Sequence, residues 1–109
     1  MGAMFSSGAS DAELIEALKT PNVLVVDSRS CGEFKRGDAF QGAINIPVDS
    51  TEDRIAELGS DKDRQIITYC VMGVRAGRAA ETIRAAGFNK VLSTTSADRL
   101  REVAQQVSK

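Results

Sequence analysis

The segment 69–78, YCVMGVRAGR, holds the residues whose types and spacing best suit chemistry. Cys70 follows an apolar run, a glycine-containing turn comes next, and Arg75 closes the turn. Cysteine reacts as its thiolate, which main-chain amides, a nearby cation or a helix N-terminus stabilise. The pattern therefore predicts a reactive thiol at Cys70.

Activation of this thiol has to be electrostatic, because the chain contains no histidine. That excludes a Cys–His pair, a serine triad with an imidazole base and a histidine-containing zinc site. The remaining sources of positive potential are the turn amides, the N-terminus of the following helix and Arg75. Gly73 permits a tight turn, and the small Ala76 and Gly77 let the helix pack closely.

The residues alone leave two questions open: whether Cys70 is functional or structural, and which group the site would bind. Cys70 can be a small apolar residue that ends a core strand, as free cysteines often are. A site of amides and arginine also suits a sulfur group or a phosphate group equally well. The glycine turn, the arginine and the helix start together favour a functional thiol over a structural one.

The apolar pattern predicts alternating strands and helices around this segment. Strands are predicted at 23–26, 43–46, 66–69 and 90–92, and helices after a Ser10–Glu13 capping box, after Ser50, from Ala76 to Gly87 and from about Ser96. This order predicts an α/β fold with an open, mostly parallel sheet of four to five strands and helices on both faces. In such sheets the ligand site lies beyond the carboxyl ends of the strands, where Cys70 falls.

Three segments in order resemble the rhodanese family. They are 25–29 (VVDSR) followed by Glu33 and Phe34, then 37–47 (GDAFQGAINIP), then Tyr69 and Cys70 through Arg75 and on to 79–80 and 86–88. Each segment alone is weakly specific, and the three together are strongly specific. The resemblance covers roughly residues 11–92 and implies a rhodanese-like fold.

The resemblance implies a sulfurtransferase. In rhodaneses the cysteine that opens the loop attacks the sulfane sulfur of a donor such as thiosulfate, holds it as a persulfide and passes it to cyanide or another thiophilic acceptor. By position Cys70 is the nucleophile, Arg75 helps to bind an anionic donor, and the amides that hold the persulfide belong to Val71, Met72, Gly73, Val74, Arg75 and Ala76. The loop 70–75 has the length found in sulfurtransferases, whereas phosphatases of this fold have a longer loop, so the resemblance favours sulfur over phosphate.

Asp27, Arg29 and Glu33 are predicted supporting residues. An Asp at a strand end and an Arg–Glu pair four residues apart suit bracing of the loop by hydrogen bonds and ion pairs. Alternatively, Arg29 supplies positive potential at the mouth of the pocket. Arg78, one turn beyond Arg75, is expected to be a solvated helix charge.

Two departures from the family pattern concern the surroundings of the thiol. Asp38 stands where the family usually has histidine, and residues 93–96 (STTS) replace a Gly-Gly pair and a Trp-containing helix. These changes predict a more polar pocket wall of different shape. They leave the acceptor and the efficiency with thiosulfate open.

Two further functions compete with a thiosulfate sulfurtransferase. Cys31, predicted in a loop at the same sheet edge, is either a surface thiol or a resolving thiol that forms a disulfide with Cys70 in a redox enzyme. The other alternative is a carrier that takes sulfur from a protein partner such as a cysteine desulfurase.

The composition indicates how many domains to expect and which classes of partner are unfavoured. The 109 residues, 42% hydrophobic and 27% charged, suit a tail or short edge strand at 1–9 and one domain at 10–109. Fourteen basic residues against fifteen acidic ones give a net charge of −1 and no basic run, which argues against a nucleic-acid partner. No apolar run reaches the roughly 20 residues of a membrane span.

Two cysteines are too few for a disulfide scaffold, which favours a reducing, cytoplasmic compartment. Gly2 and Ser6 fit the loose N-myristoylation pattern. We expect a monomer without metal or cofactor. Its expected partners are a small sulfur donor, such as thiosulfate or a low-molecular-weight persulfide, a thiol or cyanide acceptor and, in the alternative, a sulfur-relay protein.

Overall fold

Four parallel strands form one sheet in the computed structural model, which describes residues 8–107. The strands are β1 (Leu24–Asp27), β2 (Ile44–Asn45), β3 (Gln65–Cys70) and β4 (Lys90–Ser96), in the spatial order β2-β1-β3-β4. All three neighbouring pairs are parallel, so the predicted open α/β sheet is confirmed. The carboxyl ends of β1 and β3, the two inner strands, lie side by side.

Helices cover both faces of the sheet. They are α1 (Asp11–Lys19), α2 (Cys31–Phe34), α3 (Val74–Ala85) and α4 (Ala97–Val107). α1 and α4 pack on the face that carries Val25, Ile67 and Tyr69, whereas α3 packs on the face that carries Val26 and Ile66. Successive strand side chains point to opposite faces, so a strand covered on both sides is apolar throughout. That explains why β1 and β3 are mainly apolar, with residues 24–26 of β1 and Ile66 and Ile67 of β3 in the core.

Two elements differ from their predicted form. The expected helix after Ser50 is a pair of short 3₁₀ turns, Val48–Ser50 and Ile55–Leu58, the second ending at Gly59 with φ 89°. Within this stretch Ile55 and Leu58 contact the core. Their spacing of three residues matches the 3₁₀ period better than a wider α-helical stripe.

β4 is longer than predicted and continues to Ser96. The β-branched Thr94 and Thr95 suit an extended backbone, and the register between β3 and β4 shifts between Thr68 and Cys70. α4 begins at once after the strand, close to the predicted Ser96.

The N-terminal prediction falls mainly on residues 1–7, which lie outside the described residues, as does the N-myristoylation pattern at Gly2. In the described part, the Ala9 amide donates to the Ser93 carbonyl of β4 at 2.8 Å, and Ala9 is buried. The capping box that starts α1 forms as expected, with Ser10 and Glu13 bonding each other's main chain.

Candidate active site

Cys70 is the last residue of β3 and only 3% of its surface is exposed. Its Sγ accepts hydrogen bonds from the Gly73 amide at 3.1 Å and from the Ala76 amide at 3.4 Å. Of the amides expected to surround the sulfur, these two donate to it in the described residues. Main-chain donors aimed at a sulfur favour its anionic form, whether thiolate or persulfide.

The turn after Cys70 depends on Gly73. This residue is the N-cap of α3 and has φ 104° and ψ −18°, a left-handed conformation that glycine adopts without a steric penalty. α3 therefore begins at Val74, two residues earlier than predicted, and its first turn lies at the sulfur. The Thr68 hydroxyl donates to the Ala76 carbonyl at 2.8 Å and fixes the helix start to β3.

Arg75 is bound by a carboxylate from another element. Its two terminal nitrogens donate to the two oxygens of Glu33 at 2.7 and 3.2 Å. These hydrogen bonds from Arg75 are the largest cause that lowers the pKa of Glu33 to about 2, and the hydrogen bond from the Ser30 amide is the second largest. The pKa of Arg75 is raised in turn, mainly by Glu33 and to a smaller extent by the nearby Cys70. The guanidinium thus pairs with the Glu33 carboxylate in the neighbourhood of the thiol.

The predicted Arg29–Glu33 pair is wrong, because Arg29 turns inward instead. It donates to both oxygens of Asp27, with distances of 2.8 to 3.0 Å, and pairs with Asp38 at 3.2 Å. Arg29 is 4% exposed, and its charge is compensated by the carboxylates of Asp27 and Asp38. It therefore does not supply positive potential at the mouth of a pocket. The hydrogen bonds that Arg29 donates to Asp27 are the main reason that the pKa of Arg29 is raised.

Glu33 reaches Arg75 because a one-turn helix carries it. α2 replaces the predicted loop, and it starts with a second capping box in which the Glu33 amide donates to Ser30 Oγ and the Ser30 amide donates to Glu33 Oε1. The Ser-x-x-Glu pattern at 30–33 is a sequence signal for this helix that the prediction missed. Cys31, also on α2, is exposed and is a free thiol like Cys70.

Two site residues, Tyr69 and Asn45, were missed as well. The Tyr69 hydroxyl donates to Asp27 Oδ2 at 2.7 Å and accepts the Phe40 amide at 2.9 Å. Asn45 Nδ2 donates to the carbonyls of Asp27 and Arg29 at 3.0 and 2.9 Å. Both are polar side chains within or at the end of an apolar strand, and that contrast is the signal that could have identified them.

The wall beside the loop is formed by the end of β4. Thr95 is the nearest side chain to Gly73, and Ser96 is the register partner of Cys70. The hydroxyls of Thr94 and Ser28 are buried and have no hydrogen-bond partner within residues 8–107. Residues 93–96 thus place hydroxyl-bearing side chains along the strand next to Cys70.

The large side chains that follow Cys70 are exposed, although the Cys70 thiol itself is buried. Val71, Met72 and Val74 are 46%, 78% and 72% exposed and are the large apolar side chains most open to solvent in the described region. Arg78 is also exposed, with Asp49 at 3.5 Å, as expected for a solvated helix charge. The thiol is therefore buried, whereas the apolar side chains of the turn that follows it are exposed.

Residues 8–107 contain neither a cluster of metal-binding side chains nor a helix suited to a membrane. No group of three or more histidine, cysteine, aspartate or glutamate side chains there is arranged to hold a metal ion. None of the helices in that range combines the length and the apolar character that crossing a membrane requires.

Fold and site together define a class of proteins: open parallel α/β domains in which a cysteine ends an inner strand and the first turn of the next helix holds its sulfur. The chain belongs to the rhodanese-like domain family, which it matches over residues 10–95.

Similar proteins agree with this assignment. The chain is 32% identical over 84 residues to the tRNA uridine(34) hydroxylase of Enterobacter sp. (strain 638), an alignment that covers 73% of this chain and 24% of that protein. The chain thus spans about a quarter of the length of the curated relatives it matches. A solved structure of an Escherichia coli rhodanese with anions shares 30% identity and a TM-score of 0.57, covering 66% of this chain and 82% of that one. The Alr3790 protein of Anabaena sp. shares 25% identity and a TM-score of 0.64, covering 79% and 77%.

Proposed function

We propose that this rhodanese-like domain is a sulfurtransferase that carries a sulfane sulfur as a persulfide on Cys70. The observation that carries the proposal is the pair of amides, from Gly73 and Ala76, that donate to Cys70 Sγ. The same donors, at the N-terminus of α3, favour a thiolate before the reaction and a persulfide anion after it. The Escherichia coli rhodanese that shares 30% identity with this chain was solved with anions, which is consistent with a family that handles anionic ligands.

In the first step, the Cys70 thiolate attacks the outer sulfur of the donor. A new S–S bond forms, the old bond to that sulfur breaks, and the leaving group departs with its electron pair. With thiosulfate the products are the Cys70 persulfide and sulfite. A thiol or cyanide acceptor then takes the outer sulfur and returns the Cys70 thiolate, so no cofactor or metal enters the balance.

The remaining site residues position this chemistry. The amides of the loop 71–76 hold the sulfur, Arg75 lies beside it, and Glu33 fixes Arg75. Asp27 and Arg29 brace the strand ends beneath the loop. We place the domain in a reducing compartment such as the cytoplasm, because both cysteines are free and a persulfide needs thiol acceptors.

A protein-partnered sulfur carrier is the second candidate. The exposed Val71, Met72 and Val74 favour it, since an apolar rim around a buried thiol suits contact with another protein. The hydroxylase activity in the name of the relatives belongs to proteins about three times as long as this chain, which matches about a quarter of their length. The predicted absence of a nucleic-acid partner stays a prediction.

The function is tested by the mass of the protein after incubation with thiosulfate and with other sulfane donors. We expect Cys70 to become about 32 Da heavier, one sulfur atom, in a form removed by cyanide or dithiothreitol. Cys70→Ser should gain nothing. Cys31→Ser is the matched thiol control and should load as the wild type does.

Three results would overturn or narrow the proposal. An unchanged mass with every donor would overturn sulfur transfer. Loss of loading in Cys31→Ser, together with a Cys31–Cys70 disulfide on oxidation, would favour the redox alternative. Loading only from a partner protein would favour the carrier.

A further inference from the structure

The arginines around the loop all have carboxylate partners. Both terminal nitrogens of Arg75 donate to the carboxylate of Glu33. The side chains of Arg75 and Glu33 are 34% and 19% exposed. Arg29 is held by Asp27 and Asp38, and Arg78 has Asp49 nearby. The positive charge that a doubly charged donor would need at the mouth of the site is therefore largely cancelled.

The rim of the site is apolar. Val71, Met72 and Val74 expose 46%, 78% and 72% of their surfaces, whereas the thiol of Cys70 is 3% exposed. All three side chains lie within four residues of Cys70 along the chain. An apolar substituent on the donor would bury surface against them, whereas a sulfonate group would lose hydration there.

Resting on the proposed function, we propose that Glu33 is a specificity-determining residue: by neutralising Arg75 it turns the site away from the thiosulfate dianion and toward singly charged sulfane donors with an apolar group. Glu33 does not touch the transferred sulfur in this scheme. It acts through its ion-pair partner Arg75, whose pKa Cys70 also raises.

Both donor types use the same balanced step. The Cys70 thiolate bonds to the terminal sulfur of R–SO₂–S⁻, and the bond between that sulfur and the sulfonyl sulfur breaks. The leaving group is sulfite when the donor is thiosulfate and a sulfinate when R is an organic group. One negative charge stays on the Cys70 persulfide, so the donors differ in charge and in R but not in the bond that is broken.

The experiment measures the second-order rate constant of Cys70 persulfide formation with thiosulfate and with benzenethiosulfonate, followed by mass. The quantity compared is the ratio of the two rate constants, because intrinsic donor reactivity cancels when this ratio is compared between variants. Glu33→Gln keeps an oxygen that can accept the Ser30 amide in the α2 capping box, and it removes the charge and one of the two acceptors of Arg75. The matched control is Glu57→Gln, which neutralises the Glu of the exposed Arg54–Glu57 pair beside the second 3₁₀ turn.

We expect Glu33→Gln to raise the thiosulfate-to-benzenethiosulfonate ratio by about fivefold, the effect of one unit charge a few ångströms away in a water-like medium. Arg75→Gln leaves Glu33 unpaired and should lower the ratio. The double variant should return close to the wild-type ratio, and Glu57→Gln should match the wild type. A role of Glu33 confined to folding would slow both donors alike and leave the ratio unchanged.

An unchanged ratio in Glu33→Gln, or an equal change in Glu57→Gln, overturns the inference. If Glu33→Gln does not fold by circular dichroism, the direction of change in Arg75→Gln decides. Failure of the proposed function looks different, since the wild type would then load from neither donor.

Discussion

Asp27 is the buried anion that joins the carboxyl ends of β1 and β3. Its side chain accepts the Arg29 amide and guanidinium and the Tyr69 hydroxyl, and it is fully buried. A buried carboxylate costs several kcal/mol unless charge and hydrogen bonds compensate it, roughly 3–5 kcal/mol being lost when one partner of such a pair is removed. The cluster therefore fixes the neighbouring strand ends, and Cys70, the residue after Tyr69, is positioned with them.

Tyr69 gives a direct readout of this cluster because it is the only tyrosine of the chain. Burial, in the main, raises its pKa to about 12, and the hydrogen bond with Asp27 adds to the rise. We expect tyrosinate absorbance of the folded protein to appear near that pH, and near 10 in urea. Between these values the unfolded state has lost a proton that the folded state keeps, so the free energy of unfolding should fall as pH rises from about 10 to about 12.

The measurement is an ultraviolet titration with a parallel denaturation series, and Tyr69→Phe is the control without a signal. A transition near pH 10 in the folded protein would mean that the hydroxyl is not buried against Asp27.

For single residues, the sequence predicts the members of the site more reliably than it predicts their hydrogen-bond and ion-pair partners. Cys70, its glycine turn and Arg75 are adjacent along the chain, so their proximity follows from the local pattern. Glu33 and Arg75 are 42 residues apart, and their contact depends on how α2 and α3 are placed by the sheet. The nearer Arg29 is a plausible partner for Glu33 by spacing alone, but burial beside Asp27 is the lower-energy arrangement.

Among the elements, the start of α3 matters most for the site. Its N-cap glycine turns the chain so that the amides of Gly73 and Ala76 meet at one sulfur. A side chain at residue 73 would meet only ordinary contacts, with Thr95 at 3.5 Å, so the difficulty of substitution lies in the backbone conformation and not in space.

Alanine substitution should therefore have opposite effects on the free energy of unfolding at Gly73, the N-cap of α3, and at Gly77, within α3. Gly73→Ala should cost about 1–2 kcal/mol, because alanine disfavours the left-handed region, and it should slow loading of Cys70. Gly77→Ala should gain about 0.5–1 kcal/mol, because it lies within the helix and its added methyl meets nothing within 4 Å. Urea denaturation and the mass assay measure both effects. Equal effects of the two substitutions on loading would remove the special role of Gly73.

Element prediction succeeded where a pattern is long and failed where it is short. β1 and β3 are continuous apolar runs buried on both faces, and their positions were predicted within one residue or two. α2 has four residues and no buried side chain, so it has no apolar period, and its capping box is the sole local signal. The 3₁₀ turns and the extension of β4 depend on packing against the core and on pairing with β3, which no local pattern specifies.

In the whole molecule, the order of the strands predicts where the fold opens first. β3 has a hydrogen-bonded neighbour on each side and is buried from Ile66 to Cys70. β2 has two half-buried residues and one partner strand in the described region. Regions with few buried contacts exchange their amide hydrogens through local opening, whereas central strands require global unfolding.

Native-state hydrogen exchange followed by NMR should therefore show the slowest amides in β3, at Ile66, Ile67, Thr68 and Tyr69. Ile44 and Asn45 of β2 should exchange faster, with little dependence on denaturant. Equal protection of β2 and β3 would contradict this order of stability.

The sulfur of Cys70 is held by peptide N–H groups, which every residue except proline supplies, whereas the side chains of Val71, Met72 and Val74 face outward. In the proposed scheme, the main-chain groups that hold the sulfur and the side chains that meet a donor are thus separate parts of the site. Mutation can alter the outward side chains while the scaffold that activates the thiol is inherited unchanged. Domains of this design can change substrates over evolution without first losing their chemistry.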